Sequence, residues 1–192
     1  MRTIVKTIIA AGAFAGFAVA GSAQMTLPKN LNLSKESKLW IEGTSTVKSF
    51  TCTATKVEVS VVAEPGASPG DLVESASLVV PVSSLDCRNG TMNGHMQKAL
   101  KADKNPTISW KMTSYRVDGI NVVMNGSLTI AGKENPIELR ATGTADANGT
   151  IRMKGSTKFK MTEYGVKPPS LMLGSMKVGD PVTVGYDLVL NP

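Results

Sequence analysis

Thr107-Ile108-Ser109-Trp110-Lys111-Met112 sets an apolar side chain at every second position. That period fits an extended strand, whose successive side chains point to opposite faces, one toward a core and one toward water. A helix would space its apolar residues three and four apart. The same alternation recurs on both sides. Upstream, Leu39 and Ile41 alternate with Lys38, Trp40 and Glu42; Val57, Val59 and Val61 alternate with Lys56, Glu58 and Ser60. Ala76, Leu78, Val80 and Val82 alternate with Ser75 and Ser77, and Val79 stands off the pattern. Downstream, Leu128 and Ile130 flank Thr129, and Ile137, Leu139 and Ala141 flank Glu138 and Arg140. Ile151 and Met153 flank Arg152, Phe159 and Met161 flank Lys160, and Val182, Val184, Tyr186, Leu188 and Leu190 form the last run. Strands greasy on one face only belong to antiparallel sheets.

Turn-forming residues punctuate the runs: Glu64-Pro65-Gly66, Ser68-Pro69-Gly70, Asp118-Gly119, Gly132-Lys133-Glu134-Asn135-Pro136, Asn148-Gly149 and Gly179-Asp180-Pro181. Asp-Gly and Asn-Gly accept positive φ and predict tight hairpins. About eight short strands predict an all-β antiparallel barrel or sandwich. One stretch departs from period two. Residues 91–101 carry Met92, Met96, Ala99 and Leu100 at helical spacing, and Asn105-Pro106 ends that segment. They predict one short helix, placed to cover one end of a barrel. Residues 165–174 are Pro-rich with an apolar tip and read as a long loop, either a lid over the mouth or a structural crossover.

The N-terminus places Arg2 and Lys6 before an uncharged apolar run at residues 7–20, and Gly21-Ser22-Ala23 follows. Basic start, short greasy run and small-residue site predict a Sec-type signal peptide over residues 1–23, cleaved near Ala23. The run is shorter than the roughly 20 apolar residues that span a bilayer, so no stable membrane insertion is expected. The expected mature domain is then residues 24–192, in the periplasm, and loss of Arg2 and Lys6 lowers the net charge from +6 to +4. Its lysines are spread among Asp, Glu and Thr, which describes a solvated surface and not a nucleic-acid footprint. Cys52 and Cys87 are the two cysteines. An even count in an oxidising compartment favours a disulfide, with two buried thiols or a metal pair as the alternatives. His95 is the single histidine, too few ligands for zinc.

The segment His95-Met96-Gln97-Lys98-Ala99-Leu100-Lys101-Ala102-Asp103-Lys104-Asn105-Pro106-Thr107-Ile108-Ser109-Trp110 resembles the signature of the YceI-like domain family. So do Gly126-Ser127-Leu128-Thr129-Ile130-Ala131-Gly132 with Pro136-Ile137-Glu138-Leu139, then Tyr164-Gly165-Val166, then Val178-Gly179-Asp180-Pro181-Val182, in the family's order. One place departs: where the family often has Arg-Asp just before the histidine, this chain has Met92-Asn93, followed by Gly94. The resemblance implies an eight-stranded, lipocalin-like barrel in the periplasm that takes polyisoprenoids or other long-chain lipids into its interior.

Enzymatic machinery is not apparent. No Gly-x-Ser-x-Gly elbow, phosphate loop or dinucleotide fingerprint occurs, and His95 has no evident nucleophile and acid beside it. No cofactor and no metal are expected. The residues expected to line a ligand site are Ile108, Trp110, Met112, Leu128, Ile130, Phe159 and Met161, with His95 near a head group or, alternatively, bonded to a backbone carbonyl of its helix. The methionines are adaptable enough to shape a pocket for a floppy chain or simply to fill gaps. The rival to a carrier is a non-enzymatic, stress-related periplasmic interaction module with a side-chain-filled barrel. Exposed edges or an open mouth leave a homodimer open.

Overall fold

The computed structural model describes residues 30–63, 73–146, 148–171 and 175–192. The expected signal segment, the turns at 64–70 and the tip of the 165–174 loop lie outside them. In chain order the elements are β1 (Asn30–Leu33), β2 (Lys38–Ser45), β3 (Ser49–Ala54), β4 (Glu58–Ala63), β5 (Val73–Pro81), a 3-10 turn (Val82–Ser84), β6 (Leu85–Asp86), α1 (Gly90–Ala99), β7 (Thr107–Asp118), β8 (Asn121–Ile130), β9 (Lys133–Ala145), β10 (Ile151–Lys160), a 3-10 turn (Met161–Tyr164), β11 (Ser170–Leu171) and β12 (Met176–Asn191).

Every pairing is antiparallel, and the ring closes. β1 and β2 lie end to end along β12, with Leu33 opposite Leu190 and Leu39 opposite Tyr186. β4 follows β1, and β3 follows β2. β5 and β6 flank those in turn, and β7, β8, β9, β10 and β12 complete the circuit. Counted as staves, with the first three broken in two, this is a closed eight-stranded barrel in chain order and not a sandwich. Closure removes the exposed edges that leave open sheets liable to aggregate.

Alternation explains the burial. Leu31, Val61 and Leu190 pack at one end, and Leu39, Val80 and Leu85 pack under α1 with Met96 and Leu100. Ile130, Tyr164 and Val166 close the rim beside Leu100, and Phe159 meets Tyr164 edge-on at 5.2 Å.

Three segments differ from the sequence reading. Gly132–Pro136 is not a five-residue turn. Ala131 and Gly132 alone make the β8–β9 turn, with φ of 51° and 81°, and Pro136 sits within β9 opposite Ser127. Gly179-Asp180-Pro181 is not a break either; it lies inside β12, where the register against β2 slips between Val178 and Val182. A proline inside a strand is tolerated at such an irregularity. Asn148-Gly149 does not close a two-residue hairpin. Asp146 Oδ1 accepts from the backbone N–H of Asn148 (2.9 Å) and Thr150 (3.0 Å), giving a longer loop.

Candidate ligand cavity

α1 contains Gly90 and Gly94, which disfavour helix, and buries no residue fully. Its position therefore depends on tethers. Asn89 caps it, its Oδ1 accepting from Met92 N–H at 3.0 Å. Cys87, just ahead of it, is disulfide-bonded to Cys52 on β3. Asn93 reaches back, accepting from Cys87 N–H at 2.8 Å and donating to Asp86 Oδ1 at 2.9 Å. The Asn93 bond, with Arg88 N–H donating to the same oxygen at 2.9 Å, holds the Asp86 carboxyl below its usual range. The Met92-Asn93 departure from the family pattern thus puts a neutral helix anchor where a charged pair often stands.

Within the barrel is a cavity of 640 Å³. Its wall is almost wholly apolar: Val59, Val61, Leu78, Val80, Met124, Leu139, Met153, Val184 and Leu188 face it from around the ring. Its polar lining residues include Ser45 and Lys48 of the β2–β3 hairpin and Asn89, Thr91 and His95 at α1, with Ser77 and Thr157 on the wall of the barrel. That hairpin is pinned to the start of β12 by Thr46 N–H donating to the Lys177 carbonyl at 3.0 Å. His95 is half-buried and makes no hydrogen bond among the described residues, so the structure does not show it bonded to a helix carbonyl. Among those residues no cluster of three His, Cys, Asp or Glu side chains forms a metal site, and no helix is long and apolar enough to cross a membrane.

Two aromatic rings shape the interior by lying on glycines. Trp110 packs over Gly126, its Nε1 2.5 Å from where a Cβ would sit, and that nitrogen finds no acceptor among the described residues. Packing therefore places the ring. Tyr186 covers Gly155 and donates its hydroxyl to the Arg140 carbonyl at 2.9 Å. This bond stands where the β9–β10 ladder stops: Gly155 pairs Ala141, and β10 beyond it has no β9 partner. Burial pushes the Tyr186 hydroxyl up to about 12.

Of the expected lining residues, Ile108, Trp110, Leu128, Ile130, Phe159, Met161 and His95 all face the cavity. Met112 does not. It precedes a slip in the β7–β8 register, opposite the Gly126 that the Trp110 ring covers. Sequence reasoning passed over Val59, Leu78, Met124, Leu139, Met153 and Tyr186 as lining, although most stand in runs of the same parity. It also missed Ser45, Lys48 and Phe50, which lie at a hairpin the alternation does not mark.

The YceI-like domain family matches residues 31–190. A UPF0312 protein of Pseudomonas paraeruginosa is 24% identical over 101 residues, 49% of this chain and 53% of that protein, so the match spans about half the length of that relative. Among solved structures, Burkholderia cenocepacia BcnA aligns with a TM-score of 0.71 at 18% identity, over 82% of this chain and 99% of that one. A polyisoprenoid-binding domain from Saccharophagus degradans, implicated in plant cell wall breakdown, aligns with a TM-score of 0.62 at 15% identity, over 84% and 97% of the two chains.

Proposed function

We propose a periplasmic lipid carrier, starting from the fact that the chain belongs to the YceI-like domain family. In this reading a polyisoprenoid or fatty-acid-like chain lies in the barrel with its polar head at the α1 end. The observation that carries it is the 640 Å³ cavity, whose wall is mostly apolar and whose few polar lining residues include Ser45, Lys48, Asn89, Thr91 and His95. At about 30 Å³ per water-sized unit the space holds roughly 20 such groups. At about 0.8 kcal/mol per buried methylene the gross gain is of order 16 kcal/mol, against an association cost of about 4–15 kcal/mol. A long hydrocarbon thus has enough burial to bind, whereas a short one does not. The polyisoprenoid-binding neighbour supports the same class of guest. A side-chain-filled interaction module would have no need of such a void. The cleaved signal over residues 1–23 and the periplasmic address belong to this reading, as do ligand contacts from Ile108, Trp110, Leu128, Ile130, Phe159, Met161 and His95.

Native mass spectrometry of protein purified without detergent, followed by organic extraction, tests it. A co-purifying amphiphile of one chain class is expected. Protein that carries no lipid, and takes up none when offered polyprenyl or fatty-acyl amphiphiles, would reject it.

A further inference from the structure

The charge of the barrel is polarised along its axis. At the α1 end, exposed Lys98, Lys101 and Lys104 follow one another along the end of the helix and its turn, and Lys48, Lys167 and Lys177 stand on adjoining segments of the rim. Thr46 and Lys177 are hydrogen-bonded to one another, so the hairpin carrying Lys48 and the start of β12 form one continuous rim. Of the carboxylates there, Asp86, Asp180 and Glu163 are engaged by Asn93, Thr162 and the Lys160 N–H, and exposed Asp103 stands between Lys101 and Lys104, where the lysines outnumber it. The opposite end differs. Arg152 pairs with Asp187 at 3.2 Å and Glu36 at 3.7 Å, leaving Glu74, Asp118 and Asp146 against Lys35, Lys38 and Arg116, a balance without the cationic excess of the α1 end. The cationic end is also where Val47 stands 65% exposed at the hairpin tip while bordering the cavity. An apolar side chain bared among lysines, at the polar mouth of an apolar tunnel, matches the layering of a bilayer interface: anionic head groups outside and hydrocarbon just beneath.

We propose that this rim is a docking face for an anionic phospholipid surface, on which Lys98, Lys101, Lys104 and Lys177 meet head groups and Val47 inserts, so that the tunnel opens onto the bilayer. The purpose of docking rests on the carrier reading; the docking itself does not. Each lysine near an anionic surface contributes about a fivefold gain in partitioning, and the attraction is screened by salt.

Co-sedimentation with phosphatidylglycerol-containing and pure phosphatidylcholine vesicles tests this. The purified protein is expected to bind the anionic vesicles, and to release as salt rises. The triple variant Lys98→Glu/Lys101→Glu/Lys104→Glu is expected to bind at least about a hundredfold more weakly. Val47→Asp, at the exposed tip of the hairpin, is expected to weaken binding several-fold. Lys154→Glu/Lys158→Glu, on the outward face of β10, is expected to bind as the unaltered protein does. Indifference to phosphatidylglycerol, equal losses from the flank and rim variants, or retention by an acidic protein but not by vesicles would overturn the proposal. Native mass spectrometry of the same samples separates the two ideas: a loaded protein that ignores vesicles sinks docking alone, and an empty protein that binds them sinks the carrier alone.

Discussion

Leu139 lies on β9 with its side chain toward the cavity, half-buried because it faces space and not neighbours. Leu139→Trp adds about six non-hydrogen atoms to that space. In a barrel already filled by side chains such an enlargement costs about 1–3 kcal/mol through forced rotamers and backbone shifts. In a barrel with a 640 Å³ cavity the indole has room, so the unliganded variant is expected to unfold within about 1 kcal/mol of the parent, or above it. The guest bears the consequence. Displacing about four methylenes at about 0.8 kcal/mol each removes about 3 kcal/mol of binding, over a hundredfold in Kd. The assay pairs urea denaturation of delipidated protein with calorimetric titration of a polyprenyl amphiphile, whose heat does not depend on the tryptophan that the variant adds. A loss of 2–3 kcal/mol in the unliganded variant, or unchanged affinity, would refute the reasoning.

Other expectations concern the frame around the cavity. Tyr186→Phe strands the Arg140 carbonyl and should lower stability by about 1–2 kcal/mol in chemical denaturation. Because the folded hydroxyl titrates near 12 and an unfolded tyrosine near 10, its contribution is complete below pH about 10 and fades as pH climbs toward 12; the phenylalanine variant should lack that part of the alkaline limb. Replacing both Cys52 and Cys87 with serine opens a loop of 35 residues and should cost about 4 kcal/mol by denaturation, the chain-entropy figure for that length. Hydrogen bonds from Thr162 hold the Asp180 carboxyl below its usual range, so its support of the Met161–Tyr164 turn is present above the ordinary carboxylate pKa and is lost as pH falls through the lowered value. Hydrogen exchange at Thr162 N–H, read against pH, checks this, and Asp180→Asn should flatten the response.

The barrel was legible because period-two alternation is a property of neighbouring residues, and Ile108, Trp110, Leu128 and Phe159 carry their facing in the sequence itself. The ring's closure was not, since nothing local states that Leu39 lies opposite Tyr186. Gly132, Gly179 and Pro181 misled for a related reason: glycine and proline mark special backbone, and a bulge or a two-residue turn needs it as much as a loop does. Met112 keeps the parity and register of Trp110, since the ladder slips only after it, yet it does not line the cavity. β1 escaped notice because four residues are too few to display a period. The tether of α1 through Asn93, Asp86 and Cys87 depends on side-chain geometry that composition does not encode.

The most direct test uses a polyprenyl amphiphile bearing a diazirine along its tail, irradiated in complex with the purified protein and mapped by peptide mass spectrometry. Labels on inward residues, Leu128, Leu139, Met153 and Phe159, competed away by unlabelled lipid, are expected. Labels on outward Trp40 or at the exposed Val117 and Ile120 hairpin, or none that competes, would mean that no chain enters the barrel.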